Sequence, residues 1–416
     1  MTTDRVIVVG AGAAGLVAAG TARLAGAETL LLEKMARPGR KLAISGNRRC
    51  NLTNTAPPAE FISHFGTGGR FLKPALSRFG PSDLRAFFRA IGVPTVIEGN
   101  GRVFPASGRA EDVVEALVDW TDKCGVKLER RAAVEGLVLE RGVVAGVRTG
   151  AGRIEAARAV VVSTGGASYP ATGSTGQGYK LATAAGHTIV PVRPALVPVE
   201  TAGDTARRLQ GLALGDVAIR VIVDGKARSR ASGEMLFTHF GVSGPAVLSL
   251  SKGIVDALEA GGRVALAIDL RPDLDDRALD RLLESELRSH GKQLTAGWLK
   301  RLLPRKLVPV ATDAAGIDQN TAASQVTAGE RKRLRLWLKD LRLEVTGHRS
   351  FNEAMVTAGG VSTREVDPRT MASRLARGLY FAGEVLDIDA DTGGFNLQAA
   401  FSTGWVAGRW AAAQVG

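Results

Sequence analysis

Apolar positions along this chain fall into short runs closed by glycine, and the first run is the most informative. Val6-Ile7-Val8-Val9 leads straight into Gly10-Ala11-Gly12-Ala13-Ala14-Gly15. Leu16, Val17 and Leu24 follow in a helix-forming stretch, and Thr29-Leu30-Leu31-Leu32 forms a second apolar run that Glu33 closes. The pattern predicts strand, helix, strand over residues 5–33. The three glycines serve different ends. Gly10 permits the tight turn out of the strand, Gly12 lets backbone approach a pyrophosphate, and Gly15 lets the helix pack closely on the strand. The helix starting near Ala13 turns unpaired N–H groups and its positive dipole end toward phosphate, and Glu33 is placed to accept hydrogen bonds from a ribose. This is the pattern of a dinucleotide site.

Residues 34–80 have weak periodicity and many Gly, Arg and Asn, which predicts a long cofactor-covering loop followed by a helical turn at 71–79. Helices are expected at 81–91 and 110–123, with a hairpin at Asn100-Gly101 between them. Strands then dominate at 126–129, 133–139 and 143–148, followed by the buried-looking Ala159-Val160-Val161-Val162. That last strand ends in Ser163-Thr164-Gly165-Gly166, where a parallel sheet meets a cofactor again at its carboxyl edge. A β-rich region covers 192–270, with an Asp224-Gly225 turn, and amphipathic helical patterns occupy 278–289 and 330–341. The chain returns through Leu379-Tyr380-Phe381-Ala382-Gly383-Glu384, and a final helix opens at Gly393-Gly394-Phe395-Asn396-Leu397. A second helix N-terminus suits one extended cofactor with more than one polar end.

At 416 residues the chain calls for two or three domains. Its 51 glycines follow no short period, which ties them to turns and close backbone approach. Two cysteines, Cys50 and Cys124, without redox spacing argue against a disulfide framework and a flavin–disulfide mechanism, and no metal-ligand set is expected. Neither a leader peptide nor a membrane span is expected, so the protein reads as soluble and cytoplasmic. The net charge of +13 favours anionic partners without choosing among them. The basic amphipathic stretch 330–339 is the best local candidate for RNA or membrane contact. Arg40, Lys41, Arg48 and Arg49 offer a clamp for an anionic substrate or for pyrophosphate. His239 is the candidate proton donor, and Cys50 reads as a packed small residue beside the cofactor.

The glycine turn, Gly39-Arg40-Lys41-Leu42-Ala43-Ile44-Ser45-Gly46, Arg49-Cys50-Asn51-Leu52-Thr53-Asn54, Thr164-Gly165-Gly166-Ala167-Ser168-Tyr169-Pro170, residues 233–245 and Gly393-Gly394-Phe395-Asn396-Leu397-Gln398 together resemble the YhiN/BaiN-type (HI0933-like) family of NAD(P)/FAD-dependent oxidoreductases. The resemblance spans nearly the whole chain. It implies an α/β fold: a Rossmann-like FAD-binding domain of the glutathione-reductase type over 1–191 and 350–416, a β-barrel-like domain over 192–271 and 341–349, and a small helical insertion over 272–340. It carries FAD contacts to Gly10, Gly12, Ala13, Ala14, Gly15, Glu33, Lys34, Arg40, Lys41, Cys50, Asn51, Leu52, Val134, Thr164, Gly165, Gly383, Glu384, Gly394, Phe395, Asn396 and Leu397. In that reading Glu384 serves the ribityl side and the last helix N-terminus the flavin N1–C2=O region. One departure stands out: the family's usual Gly-Gly-Gly-Arg-Cys-Asn is Gly46-Asn47-Arg48-Arg49-Cys50-Asn51 here.

The implied activity is hydride transfer between FAD and a small organic substrate, which the charge allows to be anionic. NAD(P)H is the donor; without a second Gly-x-Gly-x-x-Gly it visits the flavin transiently. The alternatives are a flavin-dependent RNA-modifying or RNA-binding protein and an amine oxidase using oxygen.

Overall fold

A computed structural model of the chain describes residues 4–150 and 152–415. Met1, Thr2 and Thr3, part of the start read above as lacking a leader, lie outside the described residues. Two compact units emerge: residues 1–194 with 351–416, and residues 195–350.

The first unit is built on a parallel five-stranded sheet in the order Leu379–Phe381, Ala159–Val162, Arg5–Val9, Glu28–Glu33, Lys127–Arg130. Its central strands are buried on both faces, so they read as continuous runs of Val and Leu. The helix Ala13–Leu24 follows the first strand, and the helix Phe395–Val415 lies against it. Their close approach depends on a small-residue stripe. A Cβ on Gly404 would sit 2.3 Å from the Ala14 carbonyl oxygen, and one on Gly408 would sit 2.2 Å from that of Ala18. The two chain ends are therefore packed backbone to backbone.

Between sheet strands the chain forms an antiparallel meander of Val134–Glu140, Val143–Thr149 and Ile154–Ala156. The hairpin near Asn100-Gly101 is present, pairing Thr95–Ile97 with Arg102–Pro105. The helical turn expected at 71–79 is present as part of a helix, while the residues before it differ from the loop expected. Residues 34–80 hold the helices Arg40–Arg48, Pro58–Ser63 and Gly69–Arg78 and a short strand Thr53–Asn54. Periodicity missed the first two because Arg40–Arg48 is broken inside by Ser45, Gly46 and Asn47 and Pro58–Ser63 is only six residues long.

The second unit is a closed barrel of Val199–Thr201, Gly241–Ser243, Lys226–Phe237, Ala213–Val223, Val264–Asp269 and Leu341–His348. Its core is continuous with the helical stretch, since Ile219, Leu266 and Leu343 cluster with Leu279, Leu283, Leu334 and Leu338. The helices Asp276–Ser289 and Ala328–Lys339 thus bury their apolar faces with the barrel. Among the described residues no helix is long and apolar enough to cross a membrane.

Candidate cofactor site

The three glycines of the first turn divide into structural and open positions. Gly10 has φ +99°, and a Cβ there would meet the Ser163 carbonyl oxygen at 2.8 Å. A Cβ on Gly15 would lie 1.8 Å from the Gly10 carbonyl oxygen, so the helix can sit against the strand only without one. Gly12 is different: no protein atom lies within 4 Å of a Cβ built there, and its φ of −87° suits any residue. Packing therefore does not demand glycine at this position. Gly12 also caps the helix Ala13–Leu24 without any side-chain hydrogen bond, which leaves the first N–H groups to an external acceptor.

Glu33 is buried at the end of its strand and organises the turn. Its carboxylate accepts the Ala11 N–H at 2.8 Å and the Met35 N–H at 2.8 Å. Lys34 donates from Nζ to Thr175 Oγ1 at 2.7 Å, and burial pulls its pKa down despite the opposing charge of Glu33. Beside it a cavity of about 430 Å³ is lined by Glu135, Thr175, Gln177 and Lys180. Gln177 donates from its side chain to the carbonyl of Val134, tying that buried residue to the cavity wall.

Glu384 has a denser set of protein partners than the sequence suggests. Lys41 Nζ reaches both its oxygens at 2.9 and 2.7 Å and also contacts Ser168 Oγ at 2.5 Å. The same carboxylate accepts the Thr357 N–H at 2.9 Å, the Ser168 hydroxyl at 3.2 Å and the Gly166 N–H at 3.3 Å. This network joins four separate segments where the sheet strands end. Gly165, at φ +71°, directs the chain past Ser174 and Glu384, and Thr164 Oγ1 faces Gly178 so closely that only glycine fits there. Gly383, at φ +78°, abuts Ala14 and receives the Thr403 hydroxyl oxygen as acceptor for its N–H at 2.9 Å.

The altered loop has a physical signature. Gly46, Asn47 and Arg48 all take left-handed backbone, at φ +55°, +55° and +62°. Asn tolerates this region better than most residues, whereas Arg48 carries a conformational cost of about 1–2 kcal/mol. Both side chains are exposed. Of the four cations proposed as a clamp, Lys41 is committed to Glu384, and Arg49 is paired with Glu98 and lies over the Phe104 ring. Arg40 and Arg48 are exposed and make no ion pair among the described residues.

Cys50 follows at φ +59° and is fully buried. Burial pushes its thiol up to about 12, which keeps it protonated at neutral pH. Its neighbour Asn51 presents a buried side-chain oxygen with no hydrogen-bond partner among the described residues. That oxygen faces Gly394, where a Cβ would lie 2.8 Å from it and 2.4 Å from the Thr53 carbonyl oxygen. Leu52, also fully buried, anchors the segment through its N–H to Val103. Gly393 and Gly394 enter the last helix at φ +138° and +99°. Asn396 bonds the Ala390 backbone through both side-chain atoms, fixing the turn, while Leu397 is half-buried beyond it.

Two groups here escape sequence reasoning. His64 Nδ1 lies 3.1 Å from Asp391 Oδ2, and its ring stacks on Phe395 with centroids 3.9 Å apart. Tyr179 carries a buried hydroxyl with no partner among the described residues, and burial, followed by the charges of Glu384 and Asp387, raises its pKa. His239 lies in the barrel unit, exposed, with its ring edge-on to Phe240 at 5.0 Å and no hydrogen bond among the described residues.

The chain matches the family described as HI0933-like protein Rossmann domain over residues 4–410. The chain belongs to that family. Among its relatives is the 3-dehydro-bile acid delta(4,6)-reductase of Clostridium scindens, 34% identical over 412 residues, covering 98% of this chain and 99% of that protein. Another is the ribosomal RNA dihydrouridine synthase of Escherichia coli, 33% identical over 401 residues and 96% of each chain. Solved structures of similar fold include a flavocytochrome c3 fumarate reductase (TM-score 0.55, 18% identity, 100% of this chain and 79% of that one). A 3-ketosteroid delta1-dehydrogenase from Sterolibacterium denitrificans matches at TM-score 0.55 and 14% identity, over 99% of this chain and 100% of the other. The HI0933-like chain thus has the Rossmann-type fold of the flavoprotein oxidoreductases.

Proposed function

We propose that this flavin-dependent oxidoreductase holds FAD in the unit built from both chain ends and uses it to saturate a carbon–carbon double bond conjugated to a carbonyl, with NAD(P)H as electron donor. One observation carries the cofactor reading. The space before Gly12 is empty of protein atoms at the uncapped start of a helix, while the glycines on either side are fixed by packing. The orphaned Asn51 oxygen beside Gly394 fits the same cofactor at a second point.

Bound FAD supplies the two-electron hydride chemistry. The protein's part is to bind and orient. The first-turn N–H groups hold pyrophosphate oxygens, and Glu33, with lone pairs left on both oxygens, accepts ribose hydroxyls. Asn51 accepts an N–H or O–H of the cofactor, and the N-terminus of the last helix favours negative charge beside it. Lys41 and Glu384 brace the strand-end loops that wall the site.

The substrate class is supported by what the relatives' names share. A 3-dehydro-delta(4,6) bile acid and a uracil ring each contain a double bond conjugated to a carbonyl. Uracil within RNA is the second reading inside this class, favoured by the Escherichia coli relative. The proton that completes saturation comes from a histidine. His239 is one source, and His64, oriented by Asp391 beside Phe395, is the other.

Anaerobic mixing tests this reading. NADH or NADPH bleaches the flavin colour, and a carbonyl-conjugated alkene then restores it. An unchanged colour with both donors contradicts the donor, and bleaching that no conjugated alkene reverses contradicts the substrate class. The histidine whose change to Gln slows colour recovery while leaving bleaching intact is the proton source; if neither change does so, the histidine role is wrong.

A further inference from the structure

The basic helix that looks most suited to an anionic partner is largely neutralised within its own unit. In Ala328–Lys339, Arg331 pairs with Asp280 and Glu284, Arg335 with Asp276 and Asp280, and Lys339 with Asp269. Arg333 donates to the Ala315 carbonyl oxygen. Arg331 and Arg335 tie the helix to Asp276–Ser289 and Lys339 ties it to the strand Val264–Asp269, and Lys332 is left as an exposed cation of that helix without an ion pair among the described residues.

The free positive charge lies elsewhere, on the long hairpin of the barrel. Ala213–Val223 and Lys226–Phe237 pair from Ala213 opposite Leu236 to Val223 opposite Lys226 around the Asp224-Gly225 turn. The second strand has a barrel partner on its outer edge only at Leu236 and Phe237 among the described residues, so its earlier part is an open edge. Residues 226–230 are all exposed, and Lys226, Arg228 and Arg230 make no ion pair among the described residues. Arg230 stands directly opposite Arg220, a like-charge cross-strand pair that costs stability, relieved in part by Asp340 on Arg220. Arg263 adds a fifth exposed cation beside the turn, its N–H donated to Asp224 at 3.0 Å. The hairpin's other acids, Asp216 and Glu234, lie toward its base.

An edge strand carries lysine or arginine as protection against pairing. Here three unpaired cations stand at alternate positions within five residues, and one of them is an arginine held opposite another despite the like-charge cost. A row of cations on an extended strand matches a linear polyanion, and the outer edge leaves backbone N–H groups free to donate to phosphate oxygens as well.

We infer that the Ala213–Val223 and Lys226–Phe237 hairpin is an RNA-binding surface, with Lys226, Arg228 and Arg230 contacting consecutive stretches of phosphate backbone. The choice of RNA over another polyanion rests on the reading of the chain as a reductase of carbonyl-conjugated double bonds, of which uracil is one bearer.

The test measures binding of the FAD-loaded protein to a labelled uridine-rich single-stranded RNA across a salt series. The intact protein should bind with an affinity that falls steeply with salt. The combined change Lys226→Gln, Arg228→Gln and Arg230→Gln should weaken binding by at least about tenfold and flatten the log–log salt slope by about two. Lys332→Gln should leave both unchanged, and flavin content and bleaching by NAD(P)H should stay as in the intact protein. The inference is overturned if the triple variant keeps the original affinity and slope, if the intact protein ignores RNA, or if it prefers anionic phospholipid vesicles. RNA binding lost in the variant while colour recovery with a small conjugated alkene persists upholds the surface. Failure of recovery with RNA binding intact overturns the reductase reading and leaves the surface standing.

Discussion

Replacing Gly12 with glutamate is expected to yield a folded protein that carries no flavin. The position has no protein neighbour within 4 Å of a Cβ and a backbone conformation open to any residue, so the fold accepts the side chain. A carboxylate placed at the uncapped helix start occupies the space for pyrophosphate, satisfies its N–H groups and repels its charge. Circular dichroism and melting temperature should match the intact protein, while bound flavin falls to background. Retention of flavin would remove the phosphate assignment from this turn. A collapse of the fold would show that Gly12 is structural, like Gly10 and Gly15, whose Cβ atoms would strike backbone.

The largest stability loss is expected where the two ends of the chain meet. In Gly408→Ala the new methyl lies 2.2 Å from the Ala18 carbonyl oxygen, a backbone atom that cannot swing aside. Helix propensity favours alanine by about 1 kcal/mol, but overpacking of about 1–3 kcal/mol opposes it, and contact this short belongs at the upper end. Gly404→Ala, at 2.3 Å from the Ala14 carbonyl oxygen, should behave alike. Each variant should melt several degrees lower and lose flavin more readily, because Ala14 belongs to the helix that receives the pyrophosphate. An unchanged melting temperature in both would mean that the helices separate at no cost.

Much of the framework was legible because its signals are local. The apolar tetrad before Gly10, the Asn100-Gly101 hairpin and the Asp224-Gly225 turn each sit within a few residues of the backbone feature they specify. The glycine turn was legible for the same reason, down to the tight turn at Gly10 and the close packing at Gly15. The helices Arg40–Arg48 and Pro58–Ser63 were not, because the first is broken by left-handed backbone and the second is only six residues long. The network around Glu384 joins residues up to 343 positions apart, and His64 meets Asp391 across 327. No spacing in a single sequence encodes such pairs.

The charged helix Ala328–Lys339 shows the same limit from the other side. Its arginines look free in sequence because their carboxylate partners, Asp276, Asp280 and Glu284, lie about fifty residues earlier on another helix. Gly404 and Gly408 lie four apart and so on one face of the last helix, but only the facing backbone of Ala14 and Ala18 gives that spacing meaning.

The presence of a dinucleotide flavin across a site made from both ends of the chain is tested most directly by denaturing the purified protein and identifying what it releases. A yellow protein that yields FAD in about equal amount to the chain is the expected result. A colourless protein that takes up neither FAD nor colour on incubation with it, or one that releases FMN instead, would contradict the assignment.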